Sequence, residues 1–520
     1  MPYDLFDALE KTAESAHGAR PAVWTRERQL SFLELHSRSS ALAAGLTQLG
    51  VREGSAVGIM MGNRVEHIES LFAIAALGAI AVPINILFKG DEASYLCLDA
   101  GVRVLLADEQ AHRAITTLSA VVDRVVTVGS TLTDPKSEEY ENLIRQNAQF
   151  PRHAPSTDRH LVYYYTSGTT GRPKAAIHTH GTILDNASSQ VAHLGLTDSD
   201  TFLVVSSLTW AAGFNSVTLA TLLAGGSIAL MPTGGITISG VVEAIVASNA
   251  TATVLAPTLL RTLAETPTDC DRLANSRLRN ILSGGEPLPA EVNLLLAERL
   301  PAVSIRQAYG LSEFPIIAAS QGTREPASRS RTVGTATFGT RLAVRDAEGA
   351  VQPFGEGELL IRSNSTMVGY LNQPEQTEEA FRDGWLNTGD LVSIDTDGYV
   401  TIMGRKKDVI ISGALNIYPA EVERTLTMMR GVREASVVGI PDSKWGEVPV
   451  AVVVTEQPRP SAQAVREWCQ SKLATFKVPR HVFFLDDELP KTVSGKIQKQ
   501  RVRELALDAT SSQPPALPES

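Results

Sequence analysis

A loop rich in glycine and hydroxyl residues, YTSGTTGRPK over Tyr165–Lys174, is the strongest candidate for chemistry in this sequence. It follows an apolar run, Leu161–Tyr165, that is typical of a strand. Glycines let backbone N–H groups face an anion, hydroxyl groups donate further hydrogen bonds, and Lys174 supplies a positive charge. The loop lacks the GxxxxGKS/T pattern of P-loop ATPases. It therefore predicts a phosphate-binding loop of another kind, with a polar hairpin turn as the alternative.

Five more segments follow in the order GGEPLP (284–289), YGLSE (309–313), WLNTGD (385–390), GRKKD (404–408) and PKTVSGKIQK (490–499). Taken singly, Glu313 fits a surface carboxylate, Asp390 a turn former and Arg405–Lys407 a solvated charge run. Only the joint pattern favours function. With the loop, the six segments resemble the acyl- and aryl-adenylate-forming ligases over residues 20–505. This superfamily includes acyl-CoA synthetases, luciferases and peptide-synthetase adenylation domains, and the resemblance is closest to the acyl-CoA ligases.

The resemblance implies an ATP site and a carboxylate that attacks the α-phosphate. This attack builds negative charge, which calls for cations and hydrogen-bond donors. Lys174 and the loop hydroxyls would contact the phosphates, Glu313 would hold one Mg²⁺, and Lys496 would bridge the carboxylate and α-phosphate oxygens. Lys496, Glu313 and Lys174 are thus the expected catalytic residues. The expected nucleotide-binding residues are Thr166, Ser167, Gly168, Thr169, Thr170, Gly171, Lys174, Gly285, Glu286, Pro287, Ala308, Tyr309, Gly310, Leu311, Ser312, Asp390, Arg405 and Lys496.

The resemblance further implies transfer of the acyl group to CoA after the C-terminal domain rotates about a hinge at Lys407. The stretch SGALN (412–416) would then flank a pantetheine tunnel, and Ala414 stands where the family usually has a second glycine. The expected CoA-binding residues are Ser412, Gly413, Ala414, Trp445, Phe476, Lys477 and Arg480. For the two aromatic residues, Trp445 and Phe476, packing in the core is the alternative.

The segment SSLTWAAGFNS (206–216) resembles the family's acyl-pocket motif, with Trp210 at a position that is usually His. Ala211 stands where amino-acid-activating relatives have Asp, which argues against an amino-acid substrate because a buried ammonium needs a partner. We expect an apolar lining with Asn215 as the one polar group nearby, and therefore a fatty acid first and an aryl or alicyclic acid second. The expected lining residues are Trp210, Phe214, Asn215, Phe314, Pro315 and Ile316.

The composition fits a globular protein and excludes several other classes. The 520 residues carry 47 basic and 57 acidic side chains, a net charge of −10, so nucleic acid and anionic membranes are poor partners. Three separated cysteines exclude a disulfide scaffold and a thiolate zinc site, and they fit a reducing cytosol. The uncharged stretch Leu71–Phe88 is interrupted by Gly, Pro and Asn, which favours a helix and a buried strand over a membrane span. We expect His178 and His180 to be structural, because no third metal ligand is evident.

Apolar strand-like runs alternate with helical patterns along most of the chain, which predicts an α/β fold. We expect a large N-terminal domain over 1–404, with mixed and parallel sheets between helices and a β-rich subdomain. A small mobile α+β domain over 405–507 and a disordered tail over 508–520 would follow.

The predicted function is ATP-dependent ligation of an acid to CoA, with ATP, Mg²⁺ and CoA as cofactors and cosubstrates, in the cytoplasm. Three alternatives are a stand-alone enzyme that loads a carrier protein, a luciferase-like monooxygenase and a non-catalytic binding protein. The sequence leaves a homodimer open.

Overall fold

The computed structural model describes residues 3–129, 136–145, 149–166, 172–215, 217–286, 288–322, 325, 327–413, 415–491 and 496–511. The helices are α1 Leu5–Glu14, α2 Phe32–Gln48, α3 Val65–Ala76, α4 Gly90–Ala100, α5 His112–Leu118, α6 Tyr140–Arg145, α7 His180–Leu194, α8 Ala211–Phe214, α9 Val217–Leu223, α10 Ile238–Ser248, α11 Pro257–Ala264, α12 Pro267–Ala274, α13 Ala290–Arg299, α14 Pro374–Ala380, α15 Pro419–Thr427, α16 Ala462–Gln470 and α17 Lys499–Ser511.

The strands in chain order are β1 Pro21–Trp24, β2 Gln29–Ser31, β3 Ala56–Met60, β4 Ile80–Pro83, β5 Val104–Asp108, β6 Arg124–Val128, β7 Ser137–Glu139, β8 His160–Thr166, β9 Lys174–Thr179, β10 Thr201–Val204, β11 Ser227–Leu230, β12 Ala252–Val254, β13 Asn280–Gly284, β14 Ser304–Leu311, β15 Phe314–Ser320, β16 Thr335–Ala336, β17 Arg341–Arg345, β18 Val351–Gln352, β19 Gly355–Arg362, β20 Gly369–Tyr370, β21 Phe381–Arg382, β22 Trp385–Ile394, β23 Val400–Arg405, β24 Ile410–Ser412, β25 Leu415–Ile417, β26 Val432–Asp442, β27 Gly446–Thr455 and β28 His481–Leu485.

The chain divides into two compact units. The first comprises Met1–Leu342, Leu360–Asn387 and Thr396–Val400, and the second comprises Ala343–Leu359, Thr388–Asp395 and Thr401–Ser520. The expected boundary between residues 404 and 405 stays a prediction.

Two large mixed sheets form the first unit. Across the described ranges, one sheet has the order β16-β15-β14-β13-β12-β10-β11-β1-β2 and the other the order β20-β9-β8-β4-β3-β5-β6-β7. Strand β3 is apolar along its whole length, β5 is apolar up to its last residue, Asp108, and both are fully buried, as expected for parallel strands covered on both faces. The predicted α/β class with mixed and parallel sheets is therefore confirmed.

The stretch Leu71–Phe88 contains the second half of α3 and the buried strand β4. Throughout the described segments, no helix has both the length and the apolar character needed to cross a membrane. A break at Gly78 separates the helix from the strand, as the sequence predicts.

A smaller sheet organises the second unit. Within the described part of the chain its order is β25-β24-β27-β26, with β28 parallel to β27. Side chains on opposite faces of β26 and β27 belong to two separate apolar cores, as period-two alternation dictates. A further β-rich sheet with the order β18-β17-β19-β22-β21 confirms the predicted antiparallel segment.

The last helix extends further than the sequence indicates. Residues 508–511 belong to α17, where we expected a disordered tail, and Val502 and Ala506 bury one face of this helix. The spacing of these two residues, one helical turn apart, keeps the helix attached to its unit. Residues 512–520 lie outside the described part.

All three cysteines, Cys97, Cys270 and Cys469, are buried free thiols. Burial raises the pKa of Cys97 to about 12 and that of Cys469 to about 11, and it also raises the pKa of Cys270. The three cysteines belong to three different apolar clusters, so they are separated in the fold as well as in the sequence.

Candidate active site

The antiparallel pair β8–β9 holds both ends of the predicted phosphate-binding loop. Thr166 and Lys174 face each other across the pair, and Thr166 Oγ1 donates to the Lys174 carbonyl oxygen at 3.4 Å. Strand pairing therefore fixes where the loop leaves and re-enters the sheet. The loop residues Ser167, Gly168, Thr169, Thr170 and Gly171 lie outside the described residues.

Lys174 and Glu313, two of the expected catalytic residues, are brought together by Tyr370. The Tyr370 hydroxyl donates to Glu313 Oε1 at 2.9 Å, and Lys174 Nζ lies 3.6 Å from the centre of the Tyr370 ring. Strand β20 carries Tyr370 beside β9, where Tyr370 is paired with Ala176. Burial lowers the pKa of Lys174, while the charges of Glu313 and Glu379 oppose this shift. The sequence analysis missed Tyr370, because the two-residue strand that contains it has no pattern of its own.

The YGLSE segment is a tight hairpin between β14 and β15. A Cβ at Gly310 would lie 1.0 Å from the carbonyl oxygen of Ile316, so only glycine fits there. Ile316 itself has φ = 98°, a strained conformation for a β-branched residue. His178 Nε2 donates to the Ser312 carbonyl oxygen at 2.7 Å, and burial lowers the pKa of His178 to about 4. This neutral imidazole thus positions the backbone just before Glu313, a role that the sequence analysis did not identify.

The expected nucleotide-binding segments GGEPLP and YGLSE lie at the ends of two adjacent strands, β13 and β14. The parallel pair β13–β14 places Gly284 opposite Ala308, so Gly285 and Glu286 follow one strand end beside Tyr309 on the other. Leu288 N donates to Gln307 Oε1 at 3.0 Å and fastens the connection after β13. The sequence-predicted neighbours are therefore adjacent, while Pro287 lies outside the described residues.

Asp390 and Arg405, two of the expected nucleotide-binding residues, form an ion pair in the second unit. Arg405 Nε lies 2.6 Å from Asp390 Oδ1. The Asp390 side chain is 8% exposed and the Arg405 side chain 47% exposed, so the carboxylate is buried while the guanidinium reaches solvent. The turn alternative for Asp390 is wrong, because Asp390 lies inside β22. Lys407, the predicted hinge, is exposed in a short 3₁₀ turn over Lys406–Asp408.

Part of the predicted CoA site is gathered around Trp445. Gly413 N donates to the Trp445 carbonyl oxygen at 2.6 Å, and Ser412 is paired with Gly446. Asp442 accepts from Trp445 N at 3.0 Å and lies 3.8 Å from Arg480, so one carboxylate links two predicted CoA residues. Ala414 lies outside the described residues.

The aromatic residues of this set are not packed into the core. Trp445 is 43% exposed and Phe476 is 37% exposed, which disfavours the core-packing alternative. Lys477 Nζ lies 5.6 Å from the Phe476 ring and contacts both carboxylate oxygens of Glu421, at 2.7 and 2.9 Å. Lys496 is exposed in the segment before α17.

The predicted acyl-pocket residues are only partly brought together. Trp210 is half-buried and immediately precedes α8, and Phe214 packs edge-on against Phe72 with ring centres 6.4 Å apart. Phe314 belongs to a different apolar cluster, which includes Tyr370. Pro315 follows it and is also buried, and Ile316 packs against the cluster that contains Phe214. The lining proposed from the sequence thus divides between two clusters.

Asn215 is not the one polar group near these residues, and that expectation is wrong. Gln190 Nε2 donates to the Asn215 carbonyl oxygen at 3.1 Å and to Asn186 Oδ1 at 2.5 Å. Asn215 also lies beside Tyr164. Burial raises the pKa of Tyr164, and the nearby Asn215 side chain partly offsets this rise. Asn186 and Gln190 occupy positions one turn apart on α7, a spacing that sequence analysis could have used.

Comparison with known proteins adds two family matches and several relatives. Residues 9–371 match the AMP-binding enzyme family, and residues 421–496 match the AMP-binding enzyme C-terminal domain. The chain is 32% identical to the long-chain-fatty-acid–CoA ligase FadD13 of Mycobacterium tuberculosis, over 92% of this chain and 93% of that one. It is 34% identical to a feruloyl-CoA synthase of an Amycolatopsis species, over 91% and 93% of the two chains.

The fold is also similar to solved structures. A crystal structure of an anthranilate CoA ligase in complex with anthranoyl-AMP superposes with a TM-score of 0.89 and 29% identity over 98% of each chain. An o-succinylbenzoate CoA synthetase from Bacillus subtilis, in complex with its acyl-adenylate, gives a TM-score of 0.85 and 27% identity over 97% and 98% of the two chains.

Proposed function

Because this chain belongs to the AMP-binding enzyme family and is an AMP-forming acid–CoA ligase, we propose that its substrate is an acid with an apolar body. In the first half-reaction a carboxylate oxygen bonds to the α-phosphorus of ATP, and the bond to the β-phosphate oxygen breaks. The products are acyl-AMP and pyrophosphate. In the second half-reaction the thiol sulfur of CoA bonds to the acyl carbon, its proton is lost, and AMP leaves.

The single observation that supports the first half-reaction is the arrangement of Lys174, Tyr370 and Glu313 at the base of the phosphate-binding loop. The Lys174 ammonium lies over the Tyr370 ring and the Glu313 carboxylate accepts from the Tyr370 hydroxyl, at the point where β9 leaves that loop. We assign Lys174 to the terminal phosphates of ATP, because a positive charge next to the loop can stabilise the pyrophosphate as it forms and leaves. Lys496 is assigned to the developing charge on the α-phosphate.

Glu313 is the proposed protein ligand of Mg²⁺. Mg²⁺ usually binds one or two carboxylates together with substrate phosphates, so a single carboxylate next to the phosphate loop fits this ion. Tyr370 would orient that carboxylate through the hydrogen bond from its hydroxyl. The ion would offset the negative charge on the phosphates of bound ATP.

Asp390 and Arg405 are the proposed ribose ligands. The carboxylate can accept hydrogen bonds from both ribose hydroxyls, and the guanidinium that holds it is exposed enough to donate on another side. For the second half-reaction we assign CoA to the surface around Trp445, where an exposed indole can stack on an adenine ring. Lys407 remains the proposed hinge for a change of arrangement between the two half-reactions.

The substrate assignment is a fatty acid first and an aryl or alicyclic acid second. Apolar neighbours surround Phe214. Position 211 is alanine, so it offers no carboxylate to pair with a substrate ammonium. The aryl alternative is favoured by the half-buried Trp210, whose ring can pack against an aromatic acid. Relatives named for a long-chain fatty acid and for ferulate support both choices.

The test is pyrophosphate release from ATP with a panel of fatty, aromatic and alicyclic acids, with and without CoA. We expect release with apolar acids, and thioester formation only when CoA is present. Thioester formation on a carrier protein, but not on CoA, would favour the alternative of a stand-alone loading enzyme. Light emission would favour the luciferase-like alternative, and no pyrophosphate release with any acid would contradict the proposal.

A further inference from the structure

Four polar side chains between β8, α7 and the end of α8 are buried without enough hydrogen bonds. Tyr164 is 3% exposed, Asn215 2%, and Asn186 and Gln190 1% each. Five of their polar atoms make no direct hydrogen bond among the residues that the structure describes, and the Asn215 side chain lies near Tyr164 Oη without completing the bonding of either group. These atoms are Tyr164 Oη, Asn186 Nδ2, Gln190 Oε1, Asn215 Nδ2 and Asn215 Oδ1. Buried polar groups are normally satisfied, so this concentration in one place requires an explanation.

The hydrogen bonds that do exist fix the orientation of two amides. Gln190 Nε2 donates to the Asn215 backbone carbonyl, which can only accept, so Gln190 cannot be reversed without losing this bond. Gln190 Nε2 also donates to Asn186 Oδ1, which leaves Asn186 Nδ2 as the unpartnered atom. The cluster therefore presents two amide donors, two amide acceptors and one hydroxyl.

The cluster adjoins the region assigned to the acyl group. Asn215 directly follows α8, the helix that Trp210 precedes, and both α7 and α8 pack against β15, which begins at Phe314. A buried asparagine in the same unit behaves differently. Asn63 accepts from Leu208 N and donates to the Ser206 carbonyl oxygen, so both ends of its amide are used by the fold.

Resting on the proposed function, we propose that Tyr164, Asn186, Gln190 and Asn215 form a binding site for a hydroxyl group on the acid substrate. A hydroxyl can donate one hydrogen bond and accept two, and the cluster offers both acceptors and donors for it. An ionised group would be buried here without an opposite charge from any of the four side chains, which disfavours a dicarboxylate or an amino acid. The enzyme would then prefer hydroxylated over unsubstituted fatty or aryl acids.

The test compares kcat/KM for matched acids that differ by one hydroxyl: 4-hydroxycinnamate with cinnamate, 3-hydroxybenzoate with benzoate, and 12-hydroxydodecanoate with dodecanoate. We expect a preference of at least about tenfold for the hydroxylated acid in one pair or more, because a site built for a hydroxyl rejects its analogue. Asn186→Leu should reduce this ratio to about one, while unsubstituted acids still form thioesters. Tyr164→Phe, which removes one oxygen and little volume, should lower the ratio in the same direction.

Thermal unfolding separates recognition from a structural role. Asn186 uses only one end of its amide, and Gln190 Nε2, which donates to it, keeps the Asn215 carbonyl oxygen as a partner, so Asn186→Leu should change Tm little. Asn63→Leu is the matched control and should lower Tm, because it deprives two backbone groups of their partners.

Three results would overturn the inference: no preference in any pair, a preference that Asn186→Leu and Tyr164→Phe both retain, or a fall in Tm for Asn186→Leu as large as that for Asn63→Leu. In the first case thioesters of unsubstituted acids still form, and the proposed function stands. If no acid forms a thioester with CoA, the proposed function itself fails.

Discussion

Lys496 is the residue whose charge should separate the two half-reactions. We expect Lys496→Ala to slow acyl-AMP formation by about 100-fold or more, the scale of losing one preorganised donor. Thioester formation from supplied acyl-AMP should change far less. Single-turnover assays of each half-reaction measure the two rates. Lys499→Ala is the control, since Lys499 lies three residues away and pairs with Glu423 at 2.8 Å. Equal losses in both half-reactions would contradict the assignment.

Tyr370 should act through the carboxylate that it contacts. Tyr370→Phe removes the donor to Glu313 Oε1, so we expect the Mg²⁺ concentration for half-maximal activity to rise by about tenfold. The rate at saturating Mg²⁺ should fall less. Tyr399→Phe is a matched control, because Tyr399 also donates to a glutamate, Glu325, at 2.9 Å. If both variants have the same Mg²⁺ dependence as the wild type, Tyr370 has no positioning role.

Trp210 provides a test of acyl length. If the indole closes a pocket, Trp210→Ala should favour longer acids by about 0.8 kcal/mol for each added buried CH₂, roughly three- to fourfold in kcat/KM. If the indole is a wall for an aryl ring, the same change should weaken aromatic acids without admitting long ones. Measurements of kcat/KM across straight-chain acids and a benzoate series distinguish these results. An unchanged profile in both series would remove Trp210 from the pocket.

Sequence motifs could identify Lys174 and Glu313, because glycines, hydroxyls and charges at short spacing carry a chemical meaning. They could not identify Tyr370 or His178, which act through partners distant in the sequence. Tyr370 reaches Glu313 from 57 positions away, and His178 reaches Ser312 from 134 positions away. Contacts of this kind depend on strand pairing, and a single sequence does not record it.

At the scale of elements, the β14–β15 hairpin should tolerate no side chain at Gly310. The Cβ of Gly310→Ala would lie 1.0 Å from the Ile316 carbonyl oxygen, so the hairpin must open and Glu313 must move. We expect a loss of several kcal/mol in unfolding free energy, measured by urea denaturation. Gly398→Ala is the control: it has φ = 84° and open space around it, so it should cost only about 1–2 kcal/mol. Equal losses for the two variants would contradict the close approach of Gly310 to the Ile316 carbonyl oxygen.

Strands and helices with strong periodicity were predictable, and their side-chain environments were less so. The break in Leu71–Phe88 follows from Gly78 and a short β-like run, and α3 and β4 confirm it. Phe214 and Phe314 looked like one lining because both are aromatic and lie near motifs, yet they occupy separate clusters. Composition predicts that such residues are buried, but the sheet order decides which neighbours they meet.

At the scale of the whole molecule, transfer to CoA should depend on a surface of the second unit that acyl-AMP formation does not use. Trp445→Ala should raise KM for CoA about tenfold, since loss of a stacking partner costs about 1–3 kcal/mol per base. Acyl-AMP formation should stay unchanged. Initial rates at varied CoA measure the effect, and Phe338→Ala is the control because Phe338 is 72% exposed in the first unit. An unchanged KM for CoA would contradict the assignment of CoA to Trp445.

The two-unit organisation could be anticipated from motif order, since Glu313 precedes the GRKKD segment and Lys496 follows it. The exact division could not, because Ala343–Leu359 and Thr388–Asp395 belong to the second unit although they precede that segment. Chain segments return to a unit through sheet pairing rather than through sequence proximity.

The burial of all three native thiols makes the protein well suited to fluorescence spectroscopy. Maleimide dyes react with thiolates, and burial with a raised pKa keeps Cys97, Cys270 and Cys469 protonated and inaccessible. Cysteines introduced at Glu298 on α13 and Glu467 on α16, both exposed and one in each unit, could therefore carry a donor and an acceptor dye on the otherwise native chain. Energy transfer between the dyes would then follow the distance between the units through each step of turnover.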